Sequence, residues 1–188
     1  MDIRERIVAA CQELATTRGF YNMTVDELAA KAGISKRTLY RYFRSKDEVI
    51  EATLDAFMLD VADHARRTVG EIEDPVAIVS SMMTFVFTRG PFIFGQQGLY
   101  DLQRYYPHFW KKIDDFRTEK IRSIVNAVLA KNPEGVVGEI DPRIVSAVVL
   151  SAIQSVINPS FLLENQLTFP DAINQVSKLL INALLRHN

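Results

Sequence analysis

Cysteine is almost absent from this sequence. The 188 residues include a single cysteine, Cys11, which excludes an internal disulfide framework and a zinc site built from several cysteines. Cys11 falls on the apolar face of the first predicted helix, where a thiol serves as a small buried hydrophobe. The three histidines, His64, His108 and His187, are scattered and predict no metal site. We therefore expect neither a bound metal nor another cofactor.

Long apolar runs are also missing. The longest apolar stretch, Ile144 to Ile157, contains four polar residues and is too short to cross a bilayer. No apolar segment follows the charged N-terminus, so no signal peptide is expected. The formal net charge is only −1, so the chain as a whole has no general attraction for nucleic acid. These features predict a cytoplasmic protein with no membrane partner.

The signatures of common enzyme classes are absent as well. There is no G-x-S-x-G elbow, phosphate-binding loop, H-E-x-x-H motif or suitably placed carboxylate pair, and we predict that the protein is not an enzyme. No stretch alternates as a β-strand would. Prolines that suit a first helical position follow Asp74, Asp141 and Phe169, and Asn132-Pro133 ends a long helix. We predict an all-α fold of about nine helices: 3–18, three that follow Thr24, Ser35 and Ser45, and 75–88, 98–104, 108–131, 142–157 and 170–186.

Acidic residues are missing from one window that is rich in basic ones. From Lys31 to Lys46 there are six Lys or Arg residues and no Asp or Glu. Residues 1–50 carry nine basic and seven acidic side chains, whereas residues 51–188 carry thirteen and sixteen. The positive charge is therefore concentrated in the N-terminal quarter, as expected if only that quarter meets phosphate.

Capping signals frame three short helices before a long fourth one. These signals are Gly19 after the first helix, the capping boxes Thr24–Glu27 and Ser45–Glu48, Gly33 in the turn, and Ser35 before the third helix. Glycine takes the positive φ of a tight turn without steric cost. Three helices within about 45 residues, the last two joined by a short turn, predict a helix-turn-helix.

The third helix has one face left for a partner. Leu39 and Phe43 point to the core, so the neighbouring basic, hydroxyl and tyrosine side chains face outward. In this motif the second helix of the pair lies in the major groove, where Lys36 and Arg37 suit guanine or phosphate and Thr38 suits phosphate or a thymine methyl. The candidate DNA-binding residues are Thr24, Ser35, Lys36, Arg37, Thr38, Tyr40, Arg41, Tyr42 and Lys46. An ordinary solvated basic face is the alternative, and Tyr40 and Tyr42 are also suited to covering the small core.

The segment TVDELAAKAGISKRTLYRYFRSKDEVI resembles the N-terminal domain of the TetR family of bacterial transcriptional regulators. The likeness extends over residues 5–54 and includes the Gly-Phe pair, the T-x-x-x-x-A-x-x-A-G-I-S run and the T-L-Y-x-Y-F-x-S-K run. It implies that Thr24, Lys36, Arg37, Thr38, Tyr40, Tyr42 and Lys46 contact operator DNA. Arg37 departs from the family pattern, since many members carry a small residue there, so base preference cannot be transferred.

Aromatic residues are concentrated between Met82 and Phe116. An aromatic and methionine lining with a few polar groups suits a pocket for an apolar or amphipathic small molecule, and the family resemblance implies such an effector. Ordinary core packing is the alternative for each residue. The candidate pocket residues are Met82, Phe85, Phe94, Tyr100, Tyr105, Trp110 and Gln154.

The last two predicted helices carry more apolar surface than a short chain can cover. Helix 142–157 is apolar nearly all round, and helix 170–186 includes Leu179, Leu180, Leu184 and Leu185. Because a helix that is apolar on every side must be buried on every side, we predict that both pair with their copies in a homodimeric four-helix bundle. A core formed within one chain is the alternative.

These patterns predict two functional domains: a helix-turn-helix DNA-binding domain at 1–46, and a helical effector-binding and dimerisation domain at 47–188. We expect a transcriptional regulator, in the form of a repressor that a small molecule releases from a palindromic operator. The alternative is a DNA-bound factor that uses its aromatic region to bind another protein and has no small-molecule ligand.

Overall fold

The computed structural model describes residues 2–131 and 140–184, and within these residues every regular element is a helix. The helices in chain order are α1 Ile3–Arg18, α2 Val25–Lys31, α3 Lys36–Tyr42, α4 Lys46–Glu71, α5 Pro75–Arg89, α6 Pro91–Phe94, α7 Gln96–Arg104, α8 Pro107–Lys131, α9 Pro142–Val156, α10 Pro159–Glu164 and α11 Phe169–Leu184. No helix in this described part is both long and apolar enough to cross a membrane. The predicted all-α class is confirmed.

The first compact unit combines Met1–Asp60 with Gly90–Ile113. Helix α1 packs against α2, α6 and α7 in this unit. Its core is apolar, and the ring of Phe92 meets Phe20 and Phe57 edge-on at centroid distances of 6.2 and 5.6 Å, an arrangement that aromatic quadrupoles favour. The helix-turn-helix is therefore built on a core to which α6 and α7 also contribute.

The second compact unit combines Val61–Arg89 with Asp114–Asn188. Val145 and Val149 of α9 are buried against Val125, Leu129 and Leu180, so this part of the core joins α8, α9 and α11. Helix α11 also packs against α5, where the Phe87 and Phe169 rings are 6.1 Å apart. The boundary between the compact units passes through α4 and α8. The functional division at residue 46 remains a prediction.

All nine predicted helices are present, and where the structure describes their ends, these differ from the predicted ones by no more than two residues. Two short helices, α6 and α10, were not predicted. Phe169 rather than Pro170 is the first residue of α11, because Thr168 is the cap and accepts a hydrogen bond from the Asp171 amide. Glu48 accepts from the Arg44 amide instead of closing a capping box on Ser45, so only half of that box forms. The predicted stop at Asn132-Pro133 and the predicted helical residues 185–186, including Leu185, lie outside the described residues.

Helix α9 is not buried on every side within one chain. Val145 and Val149 are buried, whereas Ile144 and Val148 are 58% and 57% exposed. On α11, Leu179 is 65% exposed. Within the described residues, the core therefore leaves an apolar strip exposed on α9 and one large apolar side chain exposed on α11.

Candidate nucleic-acid interface

Two capped helices and a glycine turn build the helix-turn-helix. The Thr24 hydroxyl accepts from the Glu27 amide at 3.2 Å, and the Glu27 carboxylate accepts from the Thr24 amide at 2.9 Å, which confirms the predicted capping box. The turn places Gly33 at a φ of +66°, the left-handed region that glycine tolerates best. The Ser35 hydroxyl then caps α3 by accepting from the Thr38 amide at 3.0 Å.

The third helix buries one side and exposes the other. Leu39 is fully buried, and Phe43, directly after the helix, is 2% exposed. Tyr40 and Tyr42 are 47% and 43% exposed, so they do not serve mainly as a cover for the small core. Ser35, Lys36, Arg37 and Arg41 are exposed as well. The geometry thus brings the predicted cations and hydroxyls of α3 onto one accessible surface.

Lys36 already has an anionic partner within the chain. Its Nζ lies 2.9 Å from Oδ2 of Asp26 on α2, and the hydrogen bond with Asp26 raises the pKa of Lys36 above its usual range. Both side chains are open to solvent, so the pair contributes little stability. A DNA phosphate that approaches α3 can therefore replace Asp26 as the partner of Lys36 with little loss of stability.

Lys46 has a different environment from the other candidates. Its Nζ donates to the backbone carbonyls of Phe20, Tyr21 and Met23 at 3.2, 2.8 and 3.1 Å. Burial lowers the pKa of Lys46, against the opposing attraction of Asp47 and then Asp101. An ammonium group has three donors, and here all three point at the loop between α1 and α2. In this structure the Lys46 side chain holds the loop between α1 and α2 in place by these three hydrogen bonds. Its contact with DNA remains a prediction.

The sequence pattern does not reveal the contacts of two arginines near the motif, because their partners are distant in the chain. The Arg6 guanidinium donates to the carbonyls of Ala32 and Gly33 at 2.5 and 3.2 Å, which fixes the turn between α2 and α3. The Arg4 guanidinium carbon lies 4.6 Å from the centre of the Phe43 ring, a cation–π distance. No local pattern marks such contacts, since 26 residues separate Arg6 from Ala32.

The motif matches a known family over the same residues. Residues 7–53 match the family model described as bacterial regulatory proteins, tetR family. The N-terminal helix-turn-helix domain is a TetR-family domain. The chain is accordingly a transcriptional regulator with a DNA-binding helix-turn-helix, whereas the contacts of single side chains with DNA remain predictions.

Relatives of this chain extend the likeness beyond the DNA-binding motif. An uncharacterized HTH-type transcriptional regulator, YvaF of Bacillus subtilis, is 25% identical over 180 residues, which cover 96% of this chain and 94% of YvaF. A TetR transcription regulator from Haloarcula marismortui has a similar structure, with a TM-score of 0.71 at 16% identity and coverage of 98% and 99%. The regulator FadR from Bacillus subtilis, solved in complex with stearoyl-CoA, gives 0.62 at 18% identity and coverage of 95% and 98%. The structural matches show the shared fold.

The seven candidate effector residues are divided between the two compact units of the chain. Phe94, Tyr100, Tyr105 and Trp110 belong to the first unit, and Met82, Phe85 and Gln154 to the second. The Tyr100 and Tyr105 rings are 6.1 Å apart and both are substantially exposed. Gln154 donates to the Thr118 hydroxyl at 3.0 Å.

Phe85 lines a groove that the other six candidates do not line. The groove has a volume of about 410 Å³ and is formed by His64 of α4 and by Ser80, Ser81, Thr84, Phe85, Thr88 and Arg89 of α5. The His64 ring stacks on Phe85 at 4.2 Å, and its Nε2 lies 3.1 Å from the Ser81 hydroxyl. The hydroxyl residues and the arginine were missed because they recur along one helix face, where they are also typical of a solvated surface.

Proposed function

We propose that this TetR-family regulator is a cytoplasmic, dimeric repressor that binds a palindromic operator and leaves it when an apolar or amphipathic effector binds. The exposed basic and hydroxyl face of α3 is the observation that carries the proposal. It follows a capped turn, rests on the buried side chains of Leu39 and Phe43, and falls within a window free of acidic residues. Such a surface suits both phosphate and base edges in a major groove.

The exposed apolar strips of the last two long helices support the dimer. Ile144, Ala147 and Val148 of α9 are exposed and lie three or four residues apart, so they share one helix face. Leu179 of α11 adds a third large exposed apolar side chain, after Ile144 and Val148. Pairing of these strips with their copies would remove them from water. A symmetric dimer of this kind presents two α3 helices, about 34 Å apart when they occupy successive major grooves.

The groove at Phe85 supports an effector with an apolar body and a polar end. Its apolar wall contains the stacked pair of Phe85 and His64, while serine and threonine hydroxyls offer hydrogen bonds and Arg89 offers a positive charge. FadR from Bacillus subtilis was solved in complex with stearoyl-CoA, a molecule with a long apolar chain and an anionic head. Amphipathic acyl compounds are therefore the first effectors to test.

Helix α4 is the proposed two-state element. It begins four residues after α3 and extends to Glu71, and one of its residues, His64, lines the groove. An effector shifts DNA affinity only by its differential affinity for the two states of this element. In the released state the two recognition helices of the dimer would be wrongly spaced for the operator.

A DNA-bound factor without a small-molecule ligand is the second candidate. The exposed tyrosines Tyr100 and Tyr105 favour it, because aromatic residues are enriched at protein–protein interfaces. The two candidates differ in one observable property. Acyl compounds should raise the thermal stability of the protein and weaken operator binding only if the effector proposal is correct.

Phe85 and Phe87 provide a matched pair for the effector test. Operator binding is measured by fluorescence anisotropy while fatty acids and acyl-CoA esters of increasing chain length are added. Phe85→Ala should raise the concentration for half-release at least about tenfold, because the loss of an aromatic contact costs on the order of 1–3 kcal/mol. Phe87→Ala, whose ring packs on Phe169 instead, should leave it within about threefold. Operator affinity that no compound alters would contradict ligand-controlled release.

A further inference from the structure

A buried carboxylate on α7 holds the loop that leads into the helix-turn-helix. The side chain of Asp101 is fully buried. One of its oxygens, Oδ2, accepts a hydrogen bond from the Tyr21 backbone amide at 2.8 Å, across 80 residues of sequence. The other, Oδ1, accepts from the Gln97 side-chain amide at 2.9 Å. Because a buried charge without a partner is unfavourable in free energy, the Asp101 carboxylate should keep its hydrogen bond with the loop.

The same loop is held from its other side by Lys46. The Tyr21 peptide is fixed at both polar groups, because its N–H donates to Asp101 and its carbonyl accepts from the Lys46 ammonium. The carbonyls of Phe20 and Met23 also accept from Lys46. The Asp101 carboxylate therefore binds an N–H group and the Lys46 ammonium binds carbonyl groups of one short backbone segment. The two charges also attract each other.

Glycine at position 19 provides the space that this contact needs. Gly19 has a φ of +76°, and a Cβ atom placed there would lie 2.2 Å from Oδ2 of Asp101 and 2.5 Å from Cγ of Gln97. Any larger residue would be strained and would displace the carboxylate. The glycine that ends α1 is thus also the residue that lets α7 approach the loop.

The contacts of α7 with this loop all come from one face of the helix. Gln97, Asp101 and Tyr105 are spaced by four residues, so they lie in a row along the helix axis and its C-terminal cap. The Tyr105 ring stacks on the Tyr21 ring at 3.7 Å with an angle of 15° between the planes. Tyr21 is therefore fixed by its backbone to Asp101 and by its ring to Tyr105, and α2 is capped three residues later at Thr24.

We infer that Asp101 is a positioning residue for DNA binding, which fixes the Gly19–Tyr21 loop and thereby the orientation of α2 and α3 toward the operator. The inference rests on the proposed function. Base contacts need donor–acceptor distances of about 2.7–3.2 Å, so a tilt of α3 that moves Arg37 or Thr38 by about 1 Å breaks them. Phosphate attraction tolerates such a tilt much better, because it depends on charge rather than on directed contacts.

Substitution of Asp101 by Ala tests the contact by removing both acceptor oxygens. The Tyr21 backbone amide and the Gln97 side-chain amide then lose their acceptor, and the charge that faces Lys46 is lost as well. Asn is not suitable at this position, because the Gln97 amide can turn over and accept a hydrogen bond from the Asn nitrogen. The loop should detach from α7 while the apolar core keeps its shape.

The measurement is the ratio between operator and random-sequence affinity at fixed salt. The wild-type protein first selects its operator from fragments of its own genome. Asp101→Ala is then expected to bind that operator at least tenfold more weakly and random DNA within twofold of wild type, with an unchanged salt slope. Ile78→Val serves as the control, because it removes a methylene group from a fully buried side chain of the second unit and should leave the ratio unchanged.

A second variant separates positioning from loss of folded protein. Gly19→Ala displaces the same carboxylate from the opposite side and should reduce the operator-to-random ratio in the same way. A smaller folded fraction would lower both affinities together and leave the ratio intact. If wild type binds its operator selectively and both variants keep the full ratio, the inference is wrong. If wild type selects no fragment at all, the proposed function is wrong, and the inference falls with it.

Discussion

The ammonium group of Lys46 is a backbone clamp, because three loop carbonyls surround it. Lys46→Met should therefore lower the free energy of unfolding by about 2 kcal/mol, the typical loss when hydrogen bonds to a charged donor are removed. Urea denaturation checks this value. Lys31→Met is the control, since Lys31 forms an exposed ion pair with Glu13 that contributes less than about 1 kcal/mol.

A different result would show that Lys46 acts mainly in DNA binding. If Lys46→Met left stability unchanged and reduced the salt slope of DNA binding by about one ion, its main partner would be a phosphate. The sequence resemblance implied that role, and the local pattern could not reveal the clamp, because the clamp depends on a loop more than 20 residues away.

Lys36 and Arg37 are adjacent, but substitution of each should change DNA binding in a different way. Lys36→Ala should weaken binding to every DNA sequence and flatten the salt dependence, because a lysine acts on phosphate as a point charge. Arg37→Ala should cost about 1–3 kcal/mol at one base position and relax the preference there, because a bidentate guanidinium reads guanine. Binding to a library of single-base operator variants at several salt concentrations separates the two effects. Unchanged DNA binding in both variants would show that α3 is not part of the DNA interface.

At the scale of whole helices, the strip on α9 predicts the assembly. Ile144→Asp should convert the dimer to monomers, because a carboxylate at the centre of an apolar interface is buried without a partner. Sedimentation velocity measures the change. Leu59→Asp is the matched control, since Leu59 is 63% exposed but lies on α4. A wild-type protein that sediments as a monomer would contradict the dimer.

How far the helices could be predicted from sequence depended on local signals. The first helix, the caps at Thr24 and Ser35 and the positive φ of Gly33 followed from spacing and residue type, and all were confirmed. The short helices α6 and α10 were missed because four or six residues give no periodic pattern to detect. Each begins at a proline, which is equally typical of the end of a preceding helix.

The candidate sites were predicted less completely than the helices. The exposed face of α3 was correctly anticipated, since Leu39 and Phe43 fix which side is buried. The pocket candidates were assigned from local composition and from the family resemblance, and the structure divides them between two units. The Asp101–Tyr21 contact could not be predicted, because nothing local distinguishes a buried aspartate from the usual exposed one.

The stability of the whole molecule should decline at alkaline pH. Burial raises the pKa of the Cys11 thiol from 9.0 to about 12 and that of the Tyr106 hydroxyl from 10.0 to about 12. Between pH 9 and 12 the unfolded chain therefore releases protons that the folded chain keeps. The free energy of unfolding is unaffected by these groups below pH 9 and falls as pH rises, by at most about 1.4 kcal/mol per pH unit for each group.

Substitution of the thiol separates the two contributions. Cys11→Ala should delay the onset of the decline from about pH 9 to about pH 10, where only Tyr106 still contributes. Tyr40→Phe, at an exposed position, should leave the profile unchanged. Urea denaturation at intervals of half a pH unit measures the onset, and an identical onset in Cys11→Ala and wild type would mean that the thiol ionises freely in the folded protein.

The central claim for the whole molecule is sequence-selective DNA binding through α3. The most direct test titrates the purified protein against its own upstream intergenic DNA and against genome fragments that it selects, at fixed salt and with random-sequence competitor. The predicted result is tight binding of a dimer that competitor does not displace, and a reduction of that selectivity in Arg37→Ala. Weak, salt-sensitive binding to every fragment, displaced equally by random DNA, would contradict the account.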